Sequence, residues 1–322
     1  MATRFTGPRM HPYQIDHVLS TGLLRSAIFD DLIRRSAGAA PHGVRVTKSI
    51  RPARGAQVHH YHRPNLERRL LRHSVATVHH DLRETEGWLS LGMFLPRYRE
   101  AAVVHCLNAT QAAILAEHGV NHTRVIPHGV DRRVFPLPSA PRQPQAGRLR
   151  LGLFSRRYDR GVKGEDLFAG LLDHLDPARV SFVLVGEERW KDAELARAKG
   201  FVVDSFERPP YRLMAEIVQN IDALLILSTF EGGPASLPEA LGSGVPVLAT
   251  PVGMVPDLIF DGDNGLILDR DPVRGAQRIM ALAEGGLEPL CQGAFRSAAG
   301  VPSWDEVMWG WFDLYQEASC AS

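Results

Sequence analysis

Cysteine is scarce in this chain, with only Cys106, Cys291 and Cys320 among 322 residues. Odd in number and without metal-type spacing, they exclude a disulfide framework and a cysteine zinc site, and they point to a reducing compartment. There is no apolar run of about eighteen residues, so no segment is expected to span a bilayer. The opening Met1-Ala-Thr-Arg-Phe-Thr-Gly7 lacks the apolar core of a secretory signal, which makes the cytoplasm the expected location. Repeats and low-complexity tracts are missing too, which excludes solenoids and disordered arrays. Histidine is plentiful, with thirteen of 14 before residue 129. Yet His59, His60, His62, His79 and His80 come without a coordinating carboxylate or cysteine pattern, which argues against a metal site.

The remaining composition, 44% hydrophobic and 23% charged, is that of an ordinary globular protein, long enough for two domains of roughly 150 residues each. A net charge of +1 conceals a division. Residues 1–150 carry 22 Lys and Arg against 10 Asp and Glu, while the rest carries 15 against 26. The basic excess is nearly all arginine, including Arg34, Arg35, Arg68, Arg69 and Arg72. It suits an anionic acceptor or peripheral contact with an anionic membrane face. The plainer alternative is a solvated basic surface docked on the acidic half. Aromatic-basic signatures of nucleic-acid recognition are absent, so nucleic acid is not an expected partner.

Apolar runs at 149–154, 180–185, 201–203, 223–227, 245–249 and 265–268 alternate with helix-like stretches at 165–175, 190–198, 211–219 and 234–241. That pattern predicts a parallel sheet with right-handed crossovers. The first half is less regular. Strands are expected near 44–46, 57–60, 74–78, 101–106 and 124–126 and a helix near 110–118, which makes a second α/β domain. The stretch 15–33 reads as an amphipathic helix, in the core or against lipid or a partner. The Pro-rich stretch 136–147 reads as the inter-domain linker, and 303–315 as a helix lined with aromatics.

Two loops carry chemistry. After the run 223–227, Glu231-Gly232-Gly233-Pro234-Ala235-Ser236-Leu237-Pro238-Glu239 is a glycine-rich turn feeding a helix. Its free amides suit a phosphate, and its two carboxylates suit hydroxyl donors. After the run 149–154 comes a cationic loop with Arg156, Arg157, Arg160 and Lys163, a complement to a diphosphate whose charge grows as it leaves. Together they suggest a ligand with both phosphate and hydroxyls, such as a nucleotide sugar. Glu239 has a duller explanation as a first-turn carboxylate facing the helix dipole.

Arg157, Lys163 and Gly164, then Glu231 and Glu239, then Gly244 to Gly253 and Asp261-Gly-Asp-Asn-Gly265, resemble the donor domain of retaining GT-B glycosyltransferases of family 4 (glycosyl transferases group 1). Val125-Ile-Pro-His-Gly-Val-Asp131 resembles the segment near the family's linker, and Ala76-Thr-Val-His79 a strand ending in a catalytic-site histidine. The resemblance implies an α/β protein of the GT-B class, with two Rossmann-like domains facing a cleft. Residues 1–146 would bind the acceptor, 147–302 would bind the nucleotide sugar, and 303–322 would form a helix crossing back to the first domain. It implies a retaining, metal-independent hexosyltransferase of glycan biosynthesis, without a cofactor. A sugar would move from a UDP- or GDP-linked donor to a carbohydrate or glycoconjugate hydroxyl, in the cytoplasm or on the inner face of the membrane. Arg157 and Lys163 would hold the diphosphate, Glu239 the ribose, Glu231 the transferred sugar, the amides from Gly232 to Leu237 the distal phosphate, and His79 the donor sugar from the opposite wall. The family usually opens with a buried strand and a glycine-rich loop, whereas Met1 to Arg9 holds no such apolar run and Gly7-Pro8 stands where the loop would be. A nucleotide-sugar epimerase of the same fold and a non-catalytic nucleotide-binding protein are the alternatives.

Overall fold

The computed structural model describes residues 13–20, 27–85, 87–144, 147–158 and 160–321. They divide into two compact units, residues 1–127 with 304–322, and residues 128–303. The expectation for Met1 to Arg9 lies outside the described residues.

The first unit is a six-stranded parallel sheet: β1 (Tyr13–Val18), β2 (Val44–Ser49), β3 (Val58–Tyr61), β4 (Ser74–Thr77), β5 (Val103–Cys106) and β6 (Thr123–Val125), in the order β2-β1-β3-β4-β5-β6. The helix expected over 15–33 is corrected here. Residues 13–18 form β1, and among the described residues the helix covers Ala27–Gly38. Asp16 and His17 interrupt the apolar pattern, yet both are buried. Asp16 is satisfied by the Thr47 and Ser49 hydroxyls at 2.9 and 2.7 Å and by the Ala53 amide at 2.8 Å. One layer packs Phe94 and Tyr98 of the helix Leu91–Glu100 with Val18, Ala76 and Val104. The other packs Trp311, Phe312 and Tyr315 of the C-terminal helix Trp304–Cys320 with Ile15, Val58, Val75 and Val103. Trp309 of that helix points to solvent, 65% exposed.

The second unit repeats the plan with β7 (Leu149–Phe154), β8 (Val180–Val185), β9 (Val202–Phe206), β10 (Ala223–Ile226), β11 (Val247–Ala249) and β12 (Gly265–Ile267), in the order β12-β11-β10-β7-β8-β9. Every strand but β9 is largely buried, as a sheet with helices on both faces requires. The order is that of a dinucleotide-binding fold, and its direction of winding reverses between β7 and β10. Both chemistry-bearing loops follow these two strands.

The contacts place the unit boundary at 127/128, ahead of the stretch 136–147 that the sequence offered as linker. Val130 and Phe135 are buried with Ile217, Leu241 and Val301. Arg132 donates to the Gly242, Ala298 and Val301 carbonyls at 2.7, 2.8 and 2.9 Å. Arg142 donates to those of Gln219 and Ile221 at 2.6 and 2.7 Å. The chain from Val130 to Arg142 is therefore fastened to the second unit. No described helix is long and apolar enough to cross a membrane.

Candidate active site

The loop from β7 reaches the helix Glu165–Leu172 through Gly164, whose φ of +80° is left-handed. A Cβ at Gly164 would collide with the Leu227 carbonyl, so glycine lets the loop lie directly on the end of β10. The Thr229 amide donates to the Val162 carbonyl at 2.9 Å and stitches the two loops together. The backbone of Lys163 is held as well, because its amide donates to Glu165 Oε2 at 3.0 Å.

Here Lys163 Nζ and Glu231 Oε1 form an ion pair, with the side chains 17% and 11% exposed. The Ser228 hydroxyl donates to the same carboxylate oxygen at 2.9 Å. Ser228 is buried, and its carbonyl accepts from the Thr250 hydroxyl at 2.6 Å, so the end of β10 is tied to that of β11. A third loop supports the turn. Gly253 has φ +54°, and a Cβ there would lie 3.1 Å from the Gly232 carbonyl and 3.2 Å from Glu231 Cβ.

Arg157 is anchored differently. Its guanidinium pairs with Asp192 Oδ1 on the helix Trp190–Ala198, and its amide donates to the Glu187 carbonyl at 2.9 Å. Asp192 Oδ2 accepts from Arg189 Nη1 at 2.6 Å. Arg189 is fully buried and also donates to the Ser155 carbonyl at 2.7 Å and the Ser155 hydroxyl at 2.8 Å, with Glu165 Oε1 3.8 Å away. A buried cation, paired and hydrogen-bonded throughout, thus fixes the carboxylate that fixes Arg157.

Glu239 lies on the short helix Ser236–Gly242 and accepts a hydrogen bond from the Tyr211 hydroxyl at 2.8 Å. Among the turn residues Gly232, Gly233, Pro234, Ala235, Ser236 and Leu237, the Leu237 amide donates to the Pro234 carbonyl at 3.1 Å. Within the second unit, then, Lys163 and Glu231 are in contact, while Arg157 and Glu239 each have their own support. His79 belongs to the first unit. It follows β4, is half-buried, packs on Phe29 at 4.8 Å, and meets His62 Nδ1 through Nε2 at 2.9 Å. His80 turns to the other layer, against Phe94 at 4.1 Å, and burial lowers its pKa to about 4. Burial pushes the thiols of Cys106 and Cys291 up to about 12 and about 11, which leaves both inert as nucleophiles.

Sequence reasoning missed Ser228, Asp192, Arg189 and Tyr211. Arg189 and Asp192 carry one usable signal, opposite charges three apart at a helix start. Nothing in that spacing says that both are buried.

Residues 149–285 match the family model described as Glycosyl transferases group 1. The D-inositol 3-phosphate glycosyltransferase of Acidothermus cellulolyticus is 28% identical over 221 residues, which is 61% of this chain and 48% of that protein. The lipopolysaccharide 1,6-galactosyltransferase of Salmonella typhimurium is 27% identical over 146 residues, 44% of this chain and 40% of that protein. The chain therefore spans less than half the length of either relative. Among solved structures, the sucrose-phosphate synthase of Thermosynechococcus elongatus superposes with a TM-score of 0.73 at 16% identity, over 96% of this chain and 100% of its own. The Anabaena HepE protein in complex with UDP and glucose gives 0.71 at 15%, over 94% and 99%. The fold is GT-B, two Rossmann-like sheets with intervening helices, and the family match with the two relatives supports a transferase.

Proposed function

We propose that the chain is a retaining, metal-independent glycosyltransferase that moves a sugar from a nucleoside-diphosphate donor to a hydroxyl of a carbohydrate or glycoconjugate. One observation carries this reading. At the point where the winding of a Rossmann-ordered sheet reverses, the place where such sheets take nucleotides, Lys163 and Glu231 hold each other nearly out of water. An incoming diphosphate competes with Glu231 for Lys163. The carboxylate is then released to accept hydroxyls of the transferred sugar, so one exchange readies both donor contacts.

The reaction breaks the bond from the anomeric carbon to the diphosphate oxygen, and the electron pair leaves with the diphosphate. The acceptor oxygen bonds to the anomeric carbon on the same face, and its proton passes to the departing phosphate. Charge on that phosphate grows toward the transition state, so Arg157 and Lys163 act mainly there and supply what a metal would otherwise supply. Glu239 binds the ribose, the amides from Gly232 to Leu237 meet the distal phosphate, and His79 serves the donor sugar. The UDP seen with HepE supports a uridine donor, with a guanosine donor as the other candidate. The exposed Arg68, Arg69 and Arg72 support peripheral contact with an anionic membrane.

The test is turnover of a panel of UDP-, GDP-, ADP- and dTDP-sugars in excess chelator, with the product anomer read by NMR. One donor should be consumed with its configuration kept. Strict dependence on magnesium or manganese, or an inverted product, would contradict the reading.

A further inference from the structure

Beneath the C-terminal helix, β1, β3, β4 and β5 direct His17, His60, Thr77 and His105 to one layer, with His62 and His79 two residues beyond His60 and Thr77. The side chains form one continuous hydrogen-bonded chain. His79 Nε2 meets His62 Nδ1 at 2.9 Å, and His62 Nε2 meets His17 Nδ1 at 2.9 Å. His17 Nε2 lies 3.4 Å from the Tyr315 hydroxyl, which is 2.9 Å from His60 Nδ1. His60 Nε2 meets the Thr77 hydroxyl at 2.6 Å, that hydroxyl meets His105 Nδ1 at 3.0 Å, and His105 Nε2 faces the Ile126 carbonyl at 2.8 Å.

The direction of this chain follows from its last link. A carbonyl only accepts, so His105 carries its proton on Nε2 and its lone pair on Nδ1. Thr77 must then donate to His105 and accept from His60 Nε2. Tyr315 must donate to His60 Nδ1 and accept from His17 Nε2. His62 donates to His17, and His79 donates to His62. Every ring is thereby neutral with its proton on Nε2, in keeping with burial that lowers the His17 and His105 pKa values to about 3 and about 4 and those of His60 and His62 well below the ordinary value.

We propose that this chain is a positioning device for His79. The Ile126 carbonyl, acting through His105, Thr77, His60, Tyr315, His17 and His62, fixes His79 as the Nε2–H tautomer with Nδ1 as its accepting nitrogen. That this tautomer matters to transfer rests on His79 serving the donor sugar, as proposed above. The chain does not conduct protons, because it ends on a carbonyl that cannot take one up. A metal is the competing occupant, since ligand nitrogens of His17, His60 and His62 lie within 4.8 Å of one another. All six of their ring nitrogens are engaged in the chain, however, and a cation there would take lone pairs that the hydrogen bonds use.

Thr77→Val is the test, because it keeps the side-chain shape and cuts the chain several links from His79. Without Thr77 the remaining links can reverse, which puts the proton of His79 on Nδ1. In protein labelled with 15N-histidine, long-range correlation spectra of the wild type should show His79 as Nε2–H alone. Thr77→Val should show a mixture with Nδ1–H and about a tenfold fall in kcat, and Thr77→Ser should restore both. An Nδ1–H His79 in the wild type, an unchanged tautomer in Thr77→Val, or one equivalent of transition metal in the purified protein would overturn the proposal. His79→Ala separates the two readings. If kcat is unaffected by that change, His79 has no part in transfer, whatever its tautomer.

Discussion

The residue that the account leans on most is Lys163. Its ammonium is neutralised by Glu231 rather than exposed, so its removal strips the diphosphate of a point charge and leaves a buried carboxylate facing the donor. Lys163→Ala should therefore lower kcat by on the order of 100-fold or more and weaken nucleoside-diphosphate binding in calorimetry. Unchanged kinetics would remove the cation from the mechanism. Asp192 is the informative contrast. It touches two guanidiniums, one of them on the fully buried Arg189. Breaking such a pair from one side leaves an uncompensated charge, at a cost of about 3–5 kcal/mol. For a unit of this size Asp192→Ala should lower Tm by on the order of 10 °C. A wild-type melting curve would mean that the Ser155 oxygens and Glu165 suffice to stabilise Arg189.

Among the elements, the turn through Gly164 decides where the cationic loop lies. Alanine there would sit at φ +80° with its Cβ against the Leu227 carbonyl. A left-handed residue with a side chain costs about 1–2 kcal/mol, and the collision must be relieved by moving the loop that carries Lys163. Gly164→Ala should accordingly shift the denaturation midpoint and raise the Kd for nucleoside diphosphate together. A normal Kd in a destabilised protein would show that Lys163 does not depend on this packing. The same elements show what sequence reading reaches. The strands near the site were legible because a sheet buried on both faces writes each strand as an apolar run, and the loops after β7 and β10 could be placed from those runs. β1 was not legible, since buried Asp16 and His17 erase its run, nor was the helix Leu91–Glu100, which carries Pro96 and two arginines in its last turn. The support behind Arg157 and the histidine chain depend on partners far apart in sequence, His60 and Tyr315 above all, and local pattern cannot pair them.

At the scale of the whole molecule, the two units should respond differently to acid. His17, His60, His62 and His105 are neutral in the folded first unit and would be protonated in the unfolded chain below about pH 6.5. The unfolded state then binds more protons, so stability is full above that pH and falls as pH drops toward about 3. Each histidine contributes about 1.4 kcal/mol per pH unit within the window. The second unit contains only Trp190, while Trp311 packs 4.8 Å from His60. Tryptophan fluorescence should therefore report acid unfolding of the first unit between about pH 6 and 4, and a flat stability profile across that range would refute the neutral chain. The central claim concerns the second unit, and a crystal soaked with the donor that the panel selects tests it most directly. The account predicts the diphosphate within hydrogen-bond distance of Arg157 and Lys163, the sugar hydroxyls on Glu231 and the ribose on Glu239; a donor bound away from these four side chains would contradict it.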